Sequence, residues 1–233
     1  MSGMTKVDRV ASVAEARAIE AAGADLICVC LAPDLRFADG RIVTADVAAS
    51  IRRGLGRAEC VVAFEIGEDA DRGLRTAKGV DVRLVQPVTG TIPPAEVREA
   101  FGREGIGIVY PGIEVNHDDD PSWILSRFDG VPELDRTYYQ IDLLPEYPDS
   151  WEVLRDESPD YADELQIGDI DALGHQRPLL ITLDWSPGNV MEIMDMLPGV
   201  AGIALVLADA PVRDDVHHAD LPTVLSVLGA LHP

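Results

Sequence analysis

Lysine is nearly missing from this chain: Lys6 and Lys78 are the only two, so arginine supplies almost all of its 19 basic residues, set against 41 acidic ones. The resulting formal charge of −22 repels polyanions, which excludes nucleic acid and anionic membrane surfaces as partners. Cysteine is scarce as well. Cys28, Cys30 and Cys60 lie in apolar runs and lack the paired spacing of a zinc site or a disulfide framework, so they read as buried, reduced thiols. No stretch approaches the roughly 20 apolar residues of a membrane helix. The opening MSGMTKVDRV has no apolar centre of signal-peptide length, and a cytoplasmic protein is expected.

What the chain does have is alternation. Its 233 residues are 47% hydrophobic, enough for one sizeable core, and a single domain spanning 1–233 is expected. Eight apolar, β-branched runs fall at 6–10, 24–31, 59–66, 82–88, 106–115, 137–144, 178–184 and 202–209. Between them lie helical patterns at 12–25, 44–55, 93–105, 120–128, 186–197 and 221–231. In the first, Ser12 and Glu15 have capping-box spacing and Gly23 marks the stop. Eight strand–helix repeats predict an α/β fold, a right-handed (β/α)8 TIM barrel, over a doubly wound open sheet. The acidic stretch 145–173 reads as a long loop carrying one helix near 149–156.

Residues 178–190, PLLITLDWSPGNV, show a strand turning into a helix that Ser186 would cap with Pro187 at its first position. The N–H groups of such a helix N-terminus attract anions, yet Asp184 sits where the anion would lie.

KVDRVASVAEARAIEAAGAD, near the N-terminus, resembles without a gap the first βα unit of the phosphoribosylanthranilate isomerase family, K-[IV]-C-G-[IL]-T-x-x-E-D-A followed by E-A-G-A-D. Lys6, Val7, Ala16, Ala22, Gly23, Ala24 and Asp25 carry the match. Further on, RIVTADVA is similar to the family's R-x-V-S-P-E-x-A, RLVQPVTG to its V-Q-L-H-G, and LDWSPGNV to its G-G-L-x-P-x-N-V. These pieces keep their order over most of the chain. The resemblance implies a barrel that turns an N-linked aldose into an aminoketose by an Amadori rearrangement, with a small-molecule substrate, no cofactor, and a monomer or homodimer.

Carried over residue by residue, the resemblance puts Asp8 in place of the family's general-base cysteine and Asp142 in place of its general acid. Two strand-end carboxylates can share that work, one protonated and one ionised, so Asp8 and Asp142 are the expected catalytic pair. Arg41, and by unbroken count Arg36, match the substrate-binding arginine; either is equally suited to pairing with Asp34 or Asp39. Gln86 matches a strand-four glutamine. The phosphate-loop glycines of strand seven are Leu183 and Asp184 here, and ALVLADA, with Asp209, replaces the glycine-containing motif of strand eight. Asp184 and Asp209 would contact substrate in place of that cup, and they would repel a phosphate at short range.

Three functions fit these residues. The first is an isomerase-type enzyme acting on a molecule that lacks the phosphate. The second is a catalytically degenerate barrel that binds a ligand or partner, its mouth plugged by Trp185 or by the 145–173 stretch. The third is a divalent-metal enzyme using Asp8, Glu65, Glu114, His117, Asp142, Asp184 and Asp209, all at expected strand ends. His117-Asp118-Asp119-Asp120 is the sharpest local feature for the third, although it also suits a polar loop that caps a helix. His217-His218 are expected to begin a solvated helix capped by Asp214 or Asp215.

Overall fold

Alternation with a period of two decides which side of each strand faces inward, and the computed structural model shows both faces filled. It describes residues 3–38, 40–88, 90–161, 163–213 and 215–232; Asp39 and Asp214, named above, lie outside the described residues. Eight parallel strands close into a barrel in sequence order. They are β1 (Met4–Asp8), β2 (Leu26–Cys30), β3 (Glu59–Phe64), β4 (Leu84–Pro87), β5 (Gly107–Val115), β6 (Thr137–Leu143), β7 (Leu179–Thr182) and β8 (Gly202–Val206). β1 pairs with both β2 and β8, which closes the ring and leaves no free edge. This is the (β/α)8 TIM barrel that the sequence predicts.

Cys28, Val61, Ala63, Leu84, Val109, Leu180 and Ala204 fill the barrel interior, whereas their neighbours Ile27, Val62, Val85, Ile108, Ile181 and Ile203 pack outward under the helices. Near the C-terminal rim the inward positions turn polar: Asp8, Gln86, Asp142 and Thr182 continue the same parity. That change of composition along the strands is what places the chemistry at the top of the barrel. Close approach fixes Gly202, where a Cβ would lie 1.8 Å from the Met4 carbonyl oxygen.

The helices are α1 (Val13–Ala21), α2 (Ala45–Gly54), α3 (Ala70–Val80), α4 (Ala95–Arg103), α5 (Pro121–Ile124), α6 (Ser150–Glu152), α7 (Ile167–Gln176), α8 (Val190–Met196) and α9 (Leu221–Leu231). None is long and apolar enough to cross a membrane. Ser12 caps α1 as expected, accepting from the Glu15 N–H at 3.1 Å, while the Glu15 carboxylate reaches back to the Ala11 N–H.

Three local expectations need correction. The helix α3 is missing from the expected helical patterns, although Gly73, Ala77 and Val80 recur at helical spacing on its buried face; small residues make that stripe only weakly apolar beside Asp71, Arg72, Arg75 and Lys78. The stretch 145–173 is mostly helical: α6 runs into a π-helical turn (Val153–Glu157) and a 3-10 turn (Ser158–Asp160), and α7 follows. Burial of Trp151, Leu154, Leu165 and Ile170 orders it in spite of the acids. Ser186 caps the turn that leads into α8, as expected: its hydroxyl accepts from the Asn189 N–H at 3.2 Å, the Asn189 side chain reaches back to the Ser186 N–H at 2.8 Å, and the Val190 N–H, where α8 proper begins, donates to the Ser186 carbonyl at 3.1 Å. Finally, α9 starts at Leu221 with Asp220 as its cap, leaving His217 and His218 in the preceding loop.

Candidate functional site

The loops at the C-terminal ends of the strands build the site from opposite sides of the mouth. On one side, the segment 31–44 after β2 folds across the barrel opening and joins the segment after β8. Phe37 bridges Pro211, and the Val212 N–H donates to the Arg36 carbonyl at 2.8 Å. Phe37 is buried with Val206, Ala208 and Val216, and the Arg9 guanidinium lies 4.0 Å from its ring centroid.

Beneath that cover the predicted residues are held in place. Lys6, with no exposed surface, donates to Asp8 and, at 2.6 Å, to Gln140 Oε1; Gln140 Nε2 donates to Asp8 Oδ2 at 2.9 Å. Burial pushes the Asp8 carboxyl up, but the Lys6 charge and the hydrogen bonds from Lys6, Gln140 and Cys28 outweigh it and hold the pKa below the ordinary value. Arg36 grips Asp34 with two nitrogens, at 3.1 and 2.8 Å. Burial works against its charge, yet Asp34, Asp142 and Asp8 raise its pKa, which places the guanidinium among three carboxylates. The space lined by Asp8, Arg9, Cys30, Arg36, Gln86 and Pro111 is only about 10 Å³, room for about one water molecule. Gln86 is buried there, and its Oε1 makes no hydrogen bond among the described residues.

Arg41 lies to the side of this mouth. It reaches Glu15 at 3.2 Å, and its Nε lies 3.4 Å from Asp209, whose carboxylate is largely exposed.

The open space lies on the other side. A cleft of about 650 Å³ separates the loops that follow β6, β7 and β8, and Tyr147, Asp184, Trp185, Asp209, His217 and Asp220 line it. No lysine or arginine stands on its wall among the described residues. Both helix N-termini beside it are already occupied by carboxylates. Asp184 Oδ1 accepts from the Ser150 hydroxyl at 2.8 Å and from the Trp151 N–H at 2.9 Å, while Asp220 accepts from the Thr223 N–H at 2.9 Å. Asp184 thus takes for itself the donors that an anion would need. The indole N–H of Trp185 has no partner among the described residues.

His217 connects this cleft to the barrel rim. Its Nδ1 lies 2.6 Å from Asp142 Oδ1 and its Nε2 lies 3.0 Å from Ser150 Oγ, with the Asp142 and His217 side chains each 8% exposed. Sequence reasoning missed both His217 and Ser150. The histidine is 75 residues from Asp142 along the chain and the serine is 67 from the histidine, so no local pattern announces either contact.

The metal set comes apart in the structure. Glu114 pairs with Arg213, which also holds Asp215; His117 pairs with Glu146 at 3.1 Å; and Asp8 belongs to Lys6. Among the described residues no three His, Cys, Asp or Glu side chains converge as a metal site.

Comparison of the sequence finds no matching family model and no matching curated protein. Structural comparison does find relatives of the fold. Phosphoribosylanthranilate isomerase from Thermotoga maritima matches with a TM-score of 0.67 at 17% identity, covering 98% of each chain. The Pyrococcus furiosus enzyme matches with 0.66 at 10% identity, again covering 98% of each. A type I 3-dehydroquinate dehydratase from Clostridium difficile matches with 0.58 at 15% identity, so the same architecture also carries other chemistry. From end to end, this chain has the (β/α)8 fold of the phosphoribosylanthranilate isomerases.

Proposed function

We propose that this protein is an isomerase-type enzyme that moves a proton on a small hydroxylated molecule bound in the cleft between the β6, β7 and β8 loops. The single observation that carries the reading is the 2.6 Å contact between Asp142, at the end of β6, and His217, on the cleft wall. A carboxylate that orients an imidazole on the wall of an open cleft is the arrangement general acid–base catalysis uses. Of the two carboxylates expected from the sequence, Asp142 keeps the proton-transfer role. Asp8, held ionised by Lys6, supplies fixed negative charge.

The substrate class follows from the wall. With Asp184, Asp209 and Asp220 lining the cleft, Arg41 already paired with Asp209, and no lysine or arginine on the wall among the described residues, an unphosphorylated molecule, neutral or cationic, is the one that fits.

A second reading has its own observation. The mouth above Asp8 is filled to about 10 Å³, as a degenerate barrel that binds without reacting would have it. Proton exchange separates the two. The protein is incubated in D2O with unphosphorylated aldoses and 1-amino-1-deoxyketoses, and the C1 and C2 hydrogens are followed by NMR. Exchange that His217→Gln and Asp142→Asn abolish supports the enzyme; binding without exchange gives the protein to the second reading. Calorimetry with reduced 1-(o-carboxyphenylamino)-1-deoxyribulose 5-phosphate, the ligand in one related isomerase complex, should show no heat of binding. Micromolar binding would overturn the substrate class.

A further inference from the structure

Asp142, His217, Ser150 and Asp184 form one unbroken chain of hydrogen bonds. The contacts are 2.6 Å from Asp142 Oδ1 to His217 Nδ1, 3.0 Å from His217 Nε2 to Ser150 Oγ, and 2.8 Å from Ser150 Oγ to Asp184 Oδ1. The order resembles a Ser–His–Asp triad, but the chemistry of a nucleophile does not fit. Ser150 has no exposed surface, so no acyl group can reach its oxygen. The Trp151 N–H beside it, which an oxyanion would need, is spent on Asp184.

Counting hydrogens gives a different role. Each of the three contacts joins two electronegative atoms and therefore requires one hydrogen between them. The Ser150 hydroxyl supplies one, and a neutral imidazole supplies one. The third contact calls for one proton more than these groups hold with both carboxylates ionised and the imidazole neutral. Its place follows from the ends of the chain. Asp184 Oδ1 also accepts from the Trp151 N–H, as a carboxylate does, so the Ser150 hydrogen points at Asp184. Ser150 Oγ then offers a lone pair to His217, and Nε2 must carry hydrogen. The remaining proton lies between His217 Nδ1 and Asp142.

We infer that Ser150 and Asp184 are positioning residues that hold a proton between Asp142 and His217 in the resting protein. Charged groups surround this pair. Arg36 acts on Asp142 from across the mouth, Asp184 faces the ring through Ser150, and Asp209 and Asp220 line the same cleft. The catalytic meaning of the stored proton, a general acid loaded before substrate arrives, rests on the reading proposed above; the proton count does not.

The test uses the intact protein with 15N-labelled histidine, in which five rings must be told apart and His217→Gln identifies the signals of His217. Near neutral pH both ring nitrogens of His217 should bear a hydrogen. Ser150→Ala should remove one of the two N–H signals, and Ser150→Thr, which keeps the hydroxyl, should restore it. A bare Nε2 in the native protein, a bare Nδ1 facing an Asp142 carboxylate that its 13C shift shows ionised, or two N–H signals that persist in Ser150→Ala would overturn the inference. If the two signals behave as expected but no substrate in D2O exchanges hydrogen, the isomerase reading falls and the stored proton stands.

Discussion

Lys6 and Gln140, 134 residues apart in sequence, meet inside the barrel and clasp Asp8 between them. The three side chains project from neighbouring inward positions of β1 and β6, and none has appreciable contact with water. Each nitrogen donor finds an oxygen, which is the condition under which a buried charge is tolerated.

Removing one partner of that clasp should be costly. Lys6→Met leaves Asp8 as a buried, uncompensated charge, and a loss of about 3–5 kcal/mol is expected. The double variant Lys6→Met, Asp8→Leu should recover most of it. Urea denaturation of the three proteins measures the difference, and equal midpoints for the native protein and Lys6→Met would show that the pair is not buried as described.

Glu20 gives a pH-dependent prediction. Its carboxylate accepts from the N–H groups of Gly56, Arg57 and Ala58, at 2.6–3.1 Å, and pins the loop between α2 and β3. Slight burial raises its pKa, but the Ala58, Arg57 and Gly56 N–H groups outweigh this and hold it below the ordinary 4.5. A depressed folded-state pKa contributes stability that is fully present above the unfolded value and is lost as pH falls through the folded one. Glu20→Gln should therefore cost about 1 kcal/mol at neutral pH, a figure reduced for solvent screening, and the gap to the native protein should close in acid. Thermal melts at neutral and acidic pH decide it.

The three cysteines should be silent towards thiol reagents in the native protein. All are buried, and burial pushes the Cys60 thiol up to about 12 and the Cys28 thiol well above its usual range. Labelling is expected only after denaturation, with 3 equivalents released. Fast native labelling of any one would show that the interior opens.

Gly202→Ala would place a methyl group against the main chain of β1 rather than against a movable side chain. Overpacking of about 3 kcal/mol is expected, measured as a lowered denaturation midpoint. Gly229→Ala, on α9 with nothing within 4 Å of its would-be Cβ, is the control that should leave stability unchanged or raise it.

The chain fixed a good deal locally. Eight apolar runs alternating with helical patterns predicted the barrel over an open sheet, and within each run Ile27 and Cys28, or Ile181 and Leu180, sort to opposite faces because successive strand residues must. Asp142 was singled out by the family resemblance, and the structure places it at the last inward position of β6. Helix α3 went unread because the residues at helical spacing on its buried face, Gly73, Ala77 and Val80, are small, and the helical order in 145–173 because burial of Trp151, Leu154, Leu165 and Ile170 holds it. Nor was the identity of the partners legible. Whether Asp8 faces substrate or Lys6, whether Arg36 binds a ligand or Asp34, and whether Asp142 meets Asp8 or His217 depends on loops that converge from distant parts of the sequence. Strand parity is a property of neighbouring residues and is written in the sequence; the company a side chain keeps at the barrel mouth is set by the folding of β2, β6 and β8 loops onto one another, and only the tertiary structure decides it.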